Sequence, residues 1–136
     1  MLHRLRKRLS DERGSSLIET LLALMLLVLV VDVGVEGFAF AQARSVAIAA
    51  AQDGARAAAS NGPSAGLAQA QQVLDAGGGA ARNLAATVEE AGGSVTVTVQ
   101  GQAPQLFPVT FLIPSIRTSA TLPLEQYQPN EQAATP

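Results

Sequence analysis

The chain reads as an α+β protein: a long N-terminal helix with its first half transmembrane, then a small outer domain of short helices and about three antiparallel strands. Three observations predict this. Eleven consecutive apolar residues run from Leu21 to Val31. No proline occurs before Pro63. Near residue 95 the hydrophobic period changes from helical to two, with Val95, Val97 and Val99 alternating with Thr96, Thr98 and Gln100, the pattern of a half-buried strand.

The first helix is expected from about Leu17 to Ala59. From Leu17 to Phe40 it covers roughly 36 Å at 1.5 Å per residue, enough for a hydrocarbon layer of about 30 Å. Ahead of it lies a basic leader, residues 1 to 14, holding Arg4, Arg6, Lys7, Arg8 and Arg13, which is five of the nine basic residues in the chain. Cationic flanks stay in the cytoplasm, so the expected topology is single-pass, with a cytoplasmic N-terminus and an extracytoplasmic C-terminal domain. The leader contains two of the eleven acidic residues; without it four basic and nine acidic residues remain. That balance disfavours nucleic acid as a partner.

Within the apolar segment stands one carboxylate, Glu19. A charge inside a membrane span costs several kcal/mol, so it points to a partner or a task. The plainer reading is an acid snorkelling at the cytoplasmic interface, favoured there by the helix dipole; its position five residues after Gly14 makes the functional reading the preferred one. A secretory signal is the rival for the whole segment, with Ala39, Ala41 and Ala43 as cleavage candidates. The length of the apolar run and the acid within it weigh against that rival.

The residues Gly14, Ser15, Ser16, Leu17, Ile18 and Glu19 resemble the processing site of class III prepilins, with glycine before the cut and glutamate at the fifth mature position. The stretch Gln52-Asp53-Gly54-Ala55-Arg56-Ala57 is similar to the Gly-Ala-Arg-Ala segment of TadE-like pilin proteins, which also follows a membrane span. The likeness extends from Arg13 to about Glu125, and it departs from the family at Thr20, where many relatives carry an aromatic or other apolar residue. The resemblance implies a TadE-like minor pilin or pseudopilin of a Flp/Tad-type pilus, cut between Gly14 and Ser15 by a prepilin peptidase. It also implies partners: other pilins or pseudopilins, and the membrane platform and ATPase of a Tad secretion system. Membrane lipid would surround the span, in the plasma membrane until assembly carries the subunit to a cell-surface, adhesive pilus. Glycine at position 14 suits that cut, because a residue without a side chain lets the backbone approach a protease and resists joining the following helix. The Glu19 carboxylate would then meet the new amine of Ser15 in a neighbouring subunit and set the register of packed helices.

Beyond Asp32, small residues recur at spacing four: Gly37 and Ala41, Ala43 and Ala47, Ala51 and Ala55. Close helix association is one reading, with Gly37, Ala41, Gly54 and Arg56 as its residues; chance in an alanine-rich chain is an equal one. Asp32 and Glu36 lie four apart on one face, marking the outer water boundary or pairing with a cation of a partner. Asp53 and Arg56 are spaced for an intrahelical pair, which makes Arg56 structural before functional.

Ser60-Asn61-Gly62-Pro63 ends the helix. Leu67, Val73 and Leu74 predict a short helix before Gly77-Gly78-Gly79, and Leu84, Ala85 and Val88 predict another ending near Gly92-Gly93. The triple glycine lacks the lysine and hydroxyl residue of a phosphate loop and reads as a hinge. Leu106 to Ile113 reads as a core or edge strand despite Pro108, Arg117 to Leu124 as a further strand, and 126–136 as a disordered tail. The expected organisation is thus a cleaved leader at 1–14, a membrane and assembly helix at 15–60, an outer domain at 61–125 and a tail at 126–136.

The chain has no cysteine, and its single histidine, His3, lies in the leader. Disulfides and thiolate chemistry are therefore excluded. No cofactor or metal is expected, and a secreted enzyme is disfavoured. The alternative to a pilin is an uncleaved, signal-anchored membrane protein whose outer domain binds an extracellular ligand.

Overall fold

The computed structural model describes the backbone of residues 2–104 and 115–124, and the side chains of 15–104 and 115–124. The expected strand at 106–113 and the expected tail at 126–136 lie outside the described residues. The chain divides into two compact units, Met1–Phe38 and Ala39–Pro136. The first is helix alone. In the second, the remainder of that helix packs with a second helix and a sheet.

The first helix, α1, spans Leu2–Asn61. It begins well ahead of Leu17, and Gly14 is inside it, contrary to the expectation that this glycine resists the helix. An internal glycine costs only about 1 kcal/mol relative to alanine, which flanking helix-forming residues easily offset. The end falls where the Asn61-Gly62-Pro63 sequence places it. Gly62 takes φ 92, a left-handed conformation suited to glycine, and its N–H donates to the Ala58 carbonyl at 2.9 Å. Pro63 then opens the helix α2, Pro63–Ala76, in the first turn, where a missing N–H costs nothing. A short 3-10 turn follows at Gly78–Ala81.

Three strands complete the fold: β1 Leu84–Ala91, β2 Ser94–Gln102 and β3 Ser115–Pro123. They form an antiparallel sheet in the order β1-β2-β3. β1 corrects the helix expected from Leu84, Ala85 and Val88. Its residues alternate in burial, with Leu84, Ala86 and Val88 turned half-buried toward the core and Ala85, Thr87 and Glu89 exposed. Gly92 and Gly93, expected as a helix end, instead form the two-residue hairpin turn closed by Ala91 opposite Ser94. Both have positive φ, 60 and 75, as a type I′ turn requires, and such a turn matches the twist of the strands it joins.

Among the described residues the core is built largely of small side chains. On α1 the buried alanines are Ala43, Ala47, Ala50, Ala51, Ala55 and Ala58, which recur at helical spacing and share one face. Opposite them lie Val95, Val97 and Val99, each fully buried. The remaining core comes from Leu74, Ala81, Ala103 and Ile116 around one end and Ala70 at the other. Methyl-sized contacts bring α1 close to the sheet, and each valine contributes about 1.5–3 kcal/mol by leaving water.

α1 and α2 approach more closely still at a pair of glycines. A β-carbon placed on Gly54 would lie 2.9 Å from the Ala70 β-carbon and 3.0 Å from the Gly66 carbonyl oxygen. One placed on Gly66 would overlap the Ala58 β-carbon and come within 2.7 Å of the Gly54 carbonyl oxygen. The two backbones touch there, which only glycine on both helices permits.

Candidate assembly helix and processing site

Residues 15–38 of α1 carry apolar side chains on every face and bury none of them. From Leu17 to Phe38 the large apolar side chains are exposed to between 43% at Val35 and 70% at Met25 and Phe38. An all-round apolar helix is stable in lipid or among other helices but not in water. It is long and apolar enough to cross a membrane, so the described residues hold one candidate span, near the N-terminus.

Glu19 sits on this surface one turn after Ser15, exposed. Among the described residues the only ion pair is Arg56 with Asp53, so none of them pairs with Glu19. Its neighbour Thr20 is satisfied locally: the hydroxyl donates to the Ser16 carbonyl at 2.8 Å, which removes an unpaired donor from an apolar environment. Ser15 is exposed and helical, and Gly14 precedes it in the same helix. Asp32 and Glu36 are half-buried, separated by one turn.

The four residues expected to pack helices divide into different environments. Gly37 and Ala41 are exposed, and a β-carbon at Gly37 would meet nothing within 4 Å. Gly54 is enclosed by α2 and Val97 of the same chain. Arg56 is 69% exposed and held by Asp53 at 2.8 Å, an exposed pair worth a few tenths of a kcal/mol at most. Of the small-residue pairs, Ala43 with Ala47 and Ala51 with Ala55 are filled by the chain's own core. Only Gly37 with Ala41 remains open. The Gly-Ala-Arg-Ala segment therefore serves intrachain packing through its first two residues and a surface pair through its third.

Sequence reasoning missed Gly66, the partner of Gly54. The available signal was a glycine twelve residues after the first, across the one-residue helix break at Gly62, positioned to meet it when the chain folds back.

Among the described residues, no three histidine, aspartate or glutamate side chains gather as a metal site would need. An open groove of about 550 Å³ runs between α2, the 3-10 turn and β1. Its polar lining residues Gln71, Asp75 and Arg82 are all exposed, as on an ordinary solvated surface. Comparison of the chain with protein-family models, with curated proteins and with solved structures finds no match.

Proposed function

We propose that this chain is a structural subunit of a Flp/Tad-type pilus, a TadE-like minor pilin or pseudopilin, held in the plasma membrane with its N-terminus in the cytoplasm until processed after Gly14. The observation that carries the reading is Glu19: one exposed carboxylate within an otherwise apolar helix surface, five residues after Gly14 and behind a leader rich in arginine. Cutting between Gly14 and Ser15 makes a new ammonium group at the head of an apolar helix. In low dielectric an ammonium and a carboxylate attract far more strongly than in water, so a Glu19 side chain reaching the Ser15 amine of a neighbouring helix fixes their relative register. Gly37 and Ala41, exposed and without intrachain contacts over Gly37, leave a small-residue face for such a neighbour.

The partners that follow are a prepilin peptidase, other pilins, and the membrane platform and ATPase that extrude them. Mass spectrometry of the chain extracted from membranes of its native host tests the reading. The expected N-terminus is Ser15, and Gly14→Leu is expected to leave the leader attached. A chain that keeps residues 1–14 in the native host is instead a signal-anchored membrane protein, and a start after Ala39, Ala41 or Ala43 makes the apolar helix a discarded export signal.

A further inference from the structure

Strand β3 forms one edge of the sheet, and among the described residues nothing pairs with its outer side. The direction of its backbone groups follows from one hydrogen bond. The Leu124 N–H donates to the Gly93 carbonyl at 2.9 Å, continuing the register in which Ser94 faces Pro123 and Val95 faces Leu122. In an antiparallel ladder alternate residues turn their N–H and C=O to opposite sides. Ile116, Thr118, Ala120 and Leu122 therefore bond inward to β2, while Ser115, Arg117, Ser119, Thr121 and Pro123 turn their backbone groups outward. Pro123, with no N–H to offer, falls on the outward side, where a proline leaves the ladder intact.

Natural sheets guard such edges with charges, prolines, bulges or a covering element. Among the described residues β3 is lightly guarded: Arg117 is its one charge, its pairing with β2 is unbroken from Ser115 to Pro123, and its proline is terminal. The opposite edge differs. β1 packs beside α2 and carries Glu89 and Glu90.

We propose that the outer edge of β3 pairs antiparallel with β3 of a second copy of this chain, about a two-fold axis at Ser119. The strand is self-complementary in that register. On the core-facing side Ile116 falls opposite Leu122 of the second copy, and Thr118 opposite Ala120, so large meets large and small meets small. On the open side Ser119 faces its own counterpart and Arg117 faces Thr121, which keeps the two arginines apart. Each outward N–H finds an outward carbonyl, giving about eight hydrogen bonds across the axis. The pairing joins two three-stranded sheets into one, and it does not depend on whether the leader is cleaved.

The absence of cysteine makes the test clean. At the axis the two Ser119 α-carbons are about 5.5 Å apart, within disulfide range, while Arg117 lies about 14 Å from its own counterpart and cannot bridge. In membranes carrying the full chain, mild oxidation is expected to convert Ser119→Cys to a disulfide-linked dimer as the major species. Arg117→Cys and Thr121→Cys are each expected to stay monomeric alone and to cross-link when co-expressed. Ser119→Cys remaining monomeric, cross-linking to a different protein, or cross-linking no better than Thr87→Cys on the exposed face of β1 would overturn the proposal. Equal cross-linking of Arg117→Cys alone would overturn the register.

Discussion

Glu19 is the residue on which the assembly reading turns. Its carboxylate stands on a surface otherwise suited to hydrocarbon, without a cationic partner among the described residues. A purely structural acid would be replaceable: removing it lowers the cost of placing the helix in lipid. A register-setting acid would not. Glu19→Ala is therefore expected to leave the chain membrane-inserted and trimmed at Ser15 while filaments fail to form, and pili of normal number, counted by electron microscopy, would remove Glu19 from assembly. Arg56 illustrates the contrary case. It belongs to the Gly-Ala-Arg-Ala segment, yet its guanidinium is spent on Asp53 at the surface.

At the scale of elements, the crossing of α1 with α2 and the hairpin of β1 with β2 teach different lessons. The crossing is tight because Gly54 and Gly66 remove side chains from both backbones, so Gly66→Val must push the helices apart against Ala58 and the Gly54 carbonyl. Overpacking commonly costs 1–3 kcal/mol, and with backbone as the obstacle we expect about 3 kcal/mol or more. For a unit of this size the thermal midpoint, followed by circular dichroism in detergent, should fall by roughly 10 °C or more. Gly37→Ala, made in open space, should leave it unchanged. The ends of α1 and α2 and the strand β2 were legible in the sequence, since Asn61-Gly62-Pro63 and the Val-Thr alternation are local signals. β1 was not. Leu84, Ala85 and Val88 fit a helical spacing as well as a strand, alanine favours helix, and the choice was made by pairing with β2. The Gly92-Gly93 pair was the local clue, because two glycines between alternating runs favour a type I′ hairpin over a helix end.

For the molecule as a whole, the α+β class followed from the sequence because the apolar run and the later alternation are separated along the chain. The extent of α1 did not. Its alanine face reads equally as an intermolecular surface or as an intramolecular one, and only the valines of β2 packing on it decide for the latter. The β3 edge could not be seen before the strand order was known. The exposed apolar helix makes one global demand: the chain should stay in the membrane pellet through alkaline carbonate washing, as a peripheral protein would not. Recovery in the soluble fraction would mean that other helices, not lipid, cover Leu17 to Phe38.

That α1 runs unbroken from Leu2 through Gly14 bears on timing. A peptide bond wound into a helix has its carbonyl engaged and its neighbours crowded around it, so the proposed hydrolysis after Gly14 would have to wait until that turn melts. Glycine is the residue that makes such melting least costly, by about 1 kcal/mol against alanine. On the proposed reading, fraying at position 14 would limit how fast the subunit is released from its leader.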